Sequence, residues 1–299
     1  MKRVICTGLA VLDHIFYLPE IPKKPLKSFA TSYQIQGGGN VATAAVAIRK
    51  AGGQAVFWGS LGDDLNGDMI LSELEGLGVD VKDVNRINDI NSAVSSVLID
   101  NTGERLITNY TDLKLIKKAD WLPLDKLHNS DAVLADLRWQ EGALKTLKRA
   151  RELGIPSVLD ADLTPTGMNE EVIKNASHVI FSEPALNEFS QGKSTVEALH
   201  LVSEINKGWV GVTEGSSGTK WMDNGKMKHV PAFKVDSVNT LGAGDVFHGV
   251  FALSLAEGHF ENNALIRASA AAALRCSRSG GRKTIPLREE IETFIRHRS

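Results

Sequence analysis

The sequence predicts an α/β protein with a mainly parallel central sheet and a second, smaller β-sheet. Short apolar runs alternate with helical patterns along most of the chain, which is the β-α-β rhythm of a parallel sheet covered on both faces. Four segments break that rhythm with alternating apolar and polar residues, as half-exposed strands do. The last third is almost continuous amphipathic helix. We therefore expect three layers in the main body and a separate small sheet.

The elements of the main body follow in order. Buried strands are predicted at residues 4–8, 55–60, 132–135, 157–160, 178–181 and 210–213. Helices are predicted at residues 41–51, 65–77, 142–153, 169–175, 196–205, 245–257, 261–276 and 287–296.

The small sheet is predicted from residues 14–18, 29–36, 93–100 and 105–110, with a hairpin at Asn101-Thr102-Gly103-Glu104. We assign residues 14–36 and 93–110 to this discontinuous lid. Residues 1–13, 37–92 and 111–299 are assigned to a core that binds nucleotide and sugar. The run Gly37-Gly38-Gly39 connects the two as a hinge, or is a flexible loop without a hinge role.

Composition excludes several classes of protein. The 299 residues carry a net charge of −2, without a long basic run, which argues against nucleic-acid binding. Cys6 and Cys276 lack metal or disulfide spacing, which is typical of a reducing cytoplasm. Asp13 and His14 interrupt the apolar start, so it predicts a strand rather than a signal peptide. No run is long enough to predict a membrane span.

The clearest chemical motif is Gly242-Ala243-Gly244-Asp245 before an apolar helical pattern. Small residues leave backbone amides uncovered, and a helix N-terminus attracts anions, so the three small residues predict an oxyanion hole for phosphate. Asp245 is then placed to accept a proton from an attacking hydroxyl, as a general base in phosphoryl transfer. Alternatively, the motif is only a turn with an aspartate that favours the helix dipole.

Polar residues follow several predicted strands, and in an open parallel sheet ligands bind beyond the carboxyl ends of the strands. Asp13 could accept bonds from sugar hydroxyls or cap a turn. Arg138 could hold a tetrahedral anion or pair with Asp136. The nucleotide is expected near residues that follow two further strands, namely Ser182, Glu183, Thr213 and Gly215. Gly280-Gly281-Arg282 could shape an adenine slot or simply end a helix.

These motifs together resemble the PfkB/ribokinase family of sugar kinases, up to about residue 286. The resemblance rests on the diglycine Gly38-Gly39 before a small-residue helix and on residues 239–245, which are similar to the family signature D-T-x-G-A-G-D. It implies a ribokinase-like fold with a β-sheet lid, ATP and Mg²⁺ as cofactors, and a sugar hydroxyl as acceptor. It also implies a homodimer formed through the lid.

Within the family the chain most closely resembles kinases that phosphorylate the 1-hydroxyl of 6-deoxy-6-sulfofructose. Residues 37–47, 133–139, 181–184, 231–236, 242–249 and 280–282 carry this resemblance. It implies that Lys27, Asn109 and Arg138 hold the sulfonate. Two cations and an amide would bind such an anion well, but a phosphate ester would fit similar groups.

Three positions depart from the wider family. Thr43 stands where many members carry an asparagine that binds sugar, so that role is not assigned to Asn40. Gly38, Gly39 and Thr43 are expected at the sugar. Ser182-Glu183-Pro184-Ala185 replaces N-x-x-E, which leaves Glu183 a Mg²⁺ contact at most through water. Asn239 replaces the first aspartate of the signature, which weakens the case for a monovalent-cation site.

Other functions remain as alternatives. The acceptor could be another ketose, a sugar phosphate or a nucleoside, and an inactive sugar or nucleotide sensor is the non-enzymatic alternative. A nicotinamide-dependent oxidoreductase would need G-x-G-x-x-G after the first strand, and Gly8-Leu9-Ala10-Val11-Leu12-Asp13 lacks it.

Overall fold

The large sheet of the computed structural model, which describes residues 1–25 and 27–298, has eight strands. Their order is β14-β13-β12-β11-β10-β9-β1-β4, and neighbours from β12 to β4 run parallel. The strands are β1 (Arg3–Thr7), β4 (Gln54–Trp58), β9 (Ala132–Asp136), β10 (Ser157–Ala161), β11 (His178–Ser182), β12 (Trp209–Thr213), β13 (Thr219–Asp223) and β14 (Lys226–Val230). The predicted mainly parallel sheet is confirmed.

Helices cover both faces of this sheet. They are α1 (Asn40–Lys50), α2 (Leu65–Gly76), α3 (Leu113–Ile116), α4 (Gln140–Glu152), α5 (Glu170–Asn175), α6 (Glu183–Phe189), α7 (Thr195–Ile205), α8 (Ala243–Ala256), α9 (Glu261–Cys276) and α10 (Arg288–Arg296). No helix among the described residues combines the length and the apolar character needed to cross a membrane.

The sheet separates two hydrophobic clusters. Val4 and Cys6 of β1 belong to the cluster beneath α1, α8 and α9, whereas Ile5 belongs to the cluster beneath α4, α5 and α7. Successive residues of a strand point to opposite faces, so an unbroken apolar strand serves both clusters at once. The main body therefore has the three layers predicted from the sequence.

The small sheet has the order β3-β2-β7-β8. Its strands are β2 (Val11–Tyr17), β3 (Ser32–Gly38), β7 (Val94–Ile99) and β8 (Arg105–Tyr110). One face lies over the main body, where Ile15, Val97 and Ile99 pack with Leu241 of the core. β2 begins before residue 14 and β3 ends after residue 36, so Asp13 and Gly38 lie within the small sheet rather than in the core segments assigned above.

Several elements were not predicted. β13 and β14 pair antiparallel at one edge of the large sheet. A two-stranded parallel sheet joins β5 (Ser60–Gly62) to β6 (Asn85–Ile87). Helix α6 begins at Glu183 with Ser182 as its N-cap and a proline in its first turn.

Helices α1 and α8 cross very closely. A Cβ atom at Gly249 of α8 would overlap the carbonyl oxygen of Ala44 in α1, so only glycine permits this approach. Both helices begin at the carboxyl edge of the sheet, at Asn40 and Ala243. The crossing therefore fixes the two helix N-termini relative to each other.

Candidate active site

A cavity of about 530 Å³ lies between the small sheet and the carboxyl edge of the large sheet. Most of the predicted substrate and catalytic residues line it, namely Asp13, Gly38, Gly39, Thr43, Asn109, Arg138, Gly242 and Asp245. Its position agrees with the rule that open parallel sheets bind ligands beyond the carboxyl ends of their strands.

The N-terminus of α8 forms one end of the cavity. Gly242 has φ +77°, which favours glycine, and it precedes the first helical residue. Among the described residues, the amides of Gly242, Gly244 and Asp245 have no hydrogen-bond acceptor. Unpartnered amides at the start of a helix suit a phosphate oxygen.

The amide of Ala243 does not belong to this group of donors. It donates to the carbonyl oxygen of Thr240 at 3.2 Å, because the turn before the helix closes on itself. The amide of Ala243 is therefore already engaged in this conformation, and its contribution to an oxyanion hole stays a prediction. The amide of Asp245, which the sequence analysis did not consider, has no acceptor among the described residues.

Asp245 is half-buried near other acidic groups. Burial, and then the charges of Asp160 and Asp162, raise the pKa of Asp245 to about 8. Asp160 is itself buried, and burial raises its pKa well above the usual range. A carboxyl group with such a pKa is a stronger proton acceptor than an ordinary aspartate.

The diglycine end of the cavity is held by Arg282. Its guanidinium donates to the carbonyl oxygen of Gly38 at 2.5 Å, to Thr43 Oγ1 at 3.2 Å and to Glu73 at 2.9 Å. Gly38 lies so close to Asp13 that a Cβ atom would overlap the carboxylate. Arg282 thus braces the diglycine turn instead of shaping an adenine slot, and burial raises the pKa of the adjacent Asp13.

Arg138 enters the cavity from the end of β9. Asp136 accepts the backbone amide of Arg138 at 2.9 Å, whereas the guanidinium lies 4.0 Å from Asp162. Arg138 Nε is buried without a hydrogen-bond partner among the described residues. Asn109 lies across the cavity on β8 and accepts a bond from Ser95 at 2.6 Å, which leaves its amide nitrogen for a ligand.

Lys27 is not brought to this cavity. It is exposed in the connection between β2 and β3 and is not among the residues that line the cavity. Lys27 therefore does not line the cavity together with Asn109 and Arg138.

The predicted nucleotide residues also lie outside the cavity, along the neighbouring strand ends. Ser182 donates to Asp162 at 2.8 Å, Thr213 donates to the Phe181 carbonyl at 3.3 Å, and Gly215 is exposed. Glu183 is exposed at the start of α6. These residues follow β11 and β12, which lie progressively farther from β9 in the sheet.

Sequence reasoning left several cavity residues unassigned. Asn40 donates to Asp160 at 3.3 Å and to Asp162 at 3.5 Å, which ties the start of α1 to the end of β10. Arg275, which the sequence analysis did not consider, lines the cavity although it is almost fully buried. The sequence feature that could have indicated Arg275 is a cationic residue at the end of an alanine-rich helix.

The residues present fit a nucleoside triphosphate better than a tightly ligated metal. The unpartnered amides of the α8 turn suit phosphate oxygens, and the space beside Gly244 is open. No group of three acidic, histidine or cysteine side chains within the described ranges could hold a metal ion. Mg²⁺ would therefore be held mainly by phosphate oxygens and water, with Glu183 or Asp162 as outer contacts.

Comparison with known proteins agrees with this geometry. The model of the pfkB family carbohydrate kinases matches residues 1–288. A ribokinase of Bacillus subtilis is 27% identical over 99% of this chain and 100% of its own length. A fructokinase of Vibrio alginolyticus is 26% identical over 99% of each chain.

Solved structures have the same fold. A protein from Agrobacterium tumefaciens, provisionally described as a ribokinase, is 37% identical with a TM-score of 0.94 over 99% of this chain and 98% of that one. A ribokinase from Thermotoga maritima is 26% identical with a TM-score of 0.84 over 99% of each chain. The ribokinase-like α/β fold is thus confirmed, as is an ATP-dependent carbohydrate kinase that uses Mg²⁺. The chain belongs to the pfkB family of carbohydrate kinases.

Proposed function

We propose that this kinase transfers the γ-phosphoryl group of ATP to the 1-hydroxyl of 6-deoxy-6-sulfofructose. The observation that carries the proposal is the pairing, in one cavity, of an α8 turn suited to phosphate with Arg138, a cation whose Nε lacks a partner among the described residues. The two features suit a sugar with a reacting hydroxyl at one end and a permanent anion at the other.

Asp245 accepts the proton of the sugar hydroxyl while the hydroxyl oxygen attacks the terminal phosphorus of ATP; the bond from that phosphorus to the bridging oxygen breaks, and ADP leaves. The amides of Gly242, Gly244 and Asp245 bind the non-bridging oxygens, where charge is greatest during transfer. When bound, MgATP supplies the phosphoryl group, and its metal neutralises part of that charge. His248 donates to the carbonyl oxygen of Gly244 at 2.8 Å and so keeps the turn in position.

Asp13 is proposed to bind hydroxyls near the middle of the sugar, and the turn at Gly38-Gly39 to bring backbone to them. Thr43 is occupied by Arg282, so it shapes this turn rather than holding the sugar alone. Arg138 and Asn109 are proposed to bind the sulfonate. Lys27 would join them only by movement of its connection or by contribution from a second copy.

A homodimer through the lid is supported by the outer face of the small sheet. Residues that alternate along its strands point away from the cavity, and three large apolar ones are exposed there, namely Tyr33, Ile35 and Leu106. A second copy would cover this face.

The test measures ADP release with sulfofructose, fructose 6-phosphate, fructose and ribose at equal concentration. We expect the highest kcat/KM for sulfofructose. A higher kcat/KM for fructose 6-phosphate would show that the substrate carries a phosphate ester and not a sulfonate. A higher value for fructose or ribose would show that the enzyme does not require an anionic sugar. ATP binding without ADP release on any sugar would favour the inactive sensor.

A further inference from the structure

We propose that Arg275 is a positioning residue that places a fixed positive charge behind the phosphate-binding turn of α8. The inference rests on the roles proposed above for Asp245 and the turn amides. It assigns a function to a buried cation that neither the predicted active site nor the fold explains.

Arg275 lies in the last turn of α9 and is 2% exposed. It lines the cavity together with Leu241, Gly242 and Asp245. Its guanidinium donates to the carbonyl oxygen of Arg278 at 2.8 Å. No carboxylate of the described residues lies within the 4.0 Å ion-pair distance of Arg275.

A buried charge without an acidic partner is costly to the folded state. The other buried arginine beside the cavity avoids the cost, since Arg282 is paired with Glu73 at 2.9 Å. Arg275 is thus a buried arginine beside the cavity that lacks an acidic partner among the described residues. An anion bound at the α8 turn would supply the missing countercharge.

The backbone near Arg275 also holds the phosphate-binding turn. The carbonyl oxygen of Cys276 accepts the amides of Val238 and Asn239, at 2.8 and 3.0 Å. Asn239 in turn accepts the amide of Leu241 at 2.9 Å. The end of α9 therefore anchors the segment that leads into Gly242, and Arg275 lines the cavity beside that segment.

The charge adds to the dipole of α8 where negative charge increases during phosphoryl transfer. It also favours the ionised form of Asp245, against the acidic neighbours that raise its pKa. Arg275 is proposed to act through the turn, so we expect its loss to change kcat more than the KM for sugar.

The test compares Arg275→Gln, Arg275→Met and Arg275→Lys with the matched control Arg267→Met, which removes a cation from the same helix away from the cavity. Glutamine keeps a donor for the Arg278 carbonyl but removes the charge, whereas lysine keeps the charge. We expect kcat to fall at least about tenfold in both neutral variants, with the KM for sugar within about threefold, and to stay within about threefold in the lysine variant. Added guanidinium should restore part of the activity of Arg275→Met.

The pH profile gives a second readout, because loss of the charge should move the acidic limb of kcat/KM to higher pH. An Arg275→Gln variant with the wild-type kcat and pH profile would overturn the inference. So would neutral variants that fail to fold beside a folded lysine variant, since the charge would then serve only the structure. All variants are measured with the sugar that the wild type phosphorylates fastest. The wild-type assay alone therefore shows whether sulfofructose is the substrate, and the variants test only the role of Arg275.

Discussion

Strands β9 and β8 each bring one proposed sulfonate ligand to the cavity, but they are built differently. Every residue of β9 is buried between two helical layers, and every residue of β8 is exposed at the edge of the small sheet. Arg138 is fixed by the Asp136 carboxylate just before it, whereas Asn109 is held by Ser95 of the neighbouring lid strand. The cationic residue, Arg138, thus follows a buried strand of the large sheet, and the neutral residue, Asn109, lies on the small sheet that covers the cavity.

The same division holds for the rest of the site. The proposed base and the phosphate-binding turn belong to the core, and the lid contacts the residues just before this turn. Leu241 packs against three apolar residues of the small sheet, and Arg105 of β8 donates to Thr240 at 2.6 Å. Both contacts lie next to Gly242, so we expect the position of the lid to affect the phosphate-binding turn of the core.

The largest expected effect is on the core side. Asp245→Asn should lower kcat by about 10²–10⁴, because the proton acceptor is lost while the amides of the turn remain. The same change should stabilise the protein at neutral pH by about 1–3 kcal/mol, since it removes a crowded carboxyl group from beside Asp160.

Both effects are measured on one preparation, by ADP release and by thermal unfolding. Asp125→Asn, at an exposed position without an ion pair among the described residues, is the control and should change neither value. A variant that keeps the wild-type kcat would remove Asp245 as the base.

The second prediction contrasts the two sulfonate ligands. Arg138→Ala should raise the KM for sulfofructose by about 30-fold or more, because a partly desolvated anion loses its ionic partner, at a cost of about 2–5 kcal/mol. Asn109→Ala removes a neutral donor and should cost less, about 1.5–3 kcal/mol.

The KM for fructose should change little in either variant, since fructose lacks the anion. Arg149→Ala, a surface arginine on α4 paired with Glu152, serves as the control. Equal losses for sulfofructose and fructose in Arg138→Ala would show that the arginine does not recognise the anion.

The third prediction concerns pH. Because the pKa of Asp245 is raised to about 8, the free enzyme holds this base protonated at lower pH, and kcat/KM should rise about tenfold per unit up to about pH 8. The sign for stability is opposite. The unfolded chain loses this proton near pH 3.9, so between about pH 4 and about pH 8 the folded state holds more protons and stability falls as pH rises.

Asp245→Asn should reduce that fall, which urea titrations at several pH values would measure. A kcat/KM profile that is flat between about pH 6 and about pH 9 would contradict the assignment of the raised pKa to the base.

The smallest effect on catalysis is expected at the outer face of the lid. Leu106→Asp should abolish the proposed homodimer, because it places a charge in an apolar contact, with little change in the stability of the core. Sedimentation velocity checks the mass, and Glu104→Asp at the nearby hairpin is the control. A wild type that is monomeric at all concentrations would refute the lid dimer.

Local patterns predicted the large sheet, the four lid strands and the helix after Gly244, since periodicity and small residues determine them. They failed for β13 and β14, whose sequences TKWMD and KMKHV have too few apolar residues to mark a strand. Site residues that directly follow predicted strands, such as Arg138, could be predicted because the carboxyl ends of parallel strands lie at the same edge of the sheet. The bonds from Asn40 to Asp160 and from Arg282 to Gly38 join residues 120 and 244 positions apart, which no local pattern contains.

The close crossing of α1 and α8 at Gly249 has a consequence for turnover. Helix α1 starts beside the diglycine, and α8 starts at the proposed base. Because their backbones are in contact, the distance between the sugar region and the phosphate region is fixed. The folded protein therefore holds the two binding regions in a fixed relative orientation, so the sugar hydroxyl and the terminal phosphate are aligned as soon as both substrates bind.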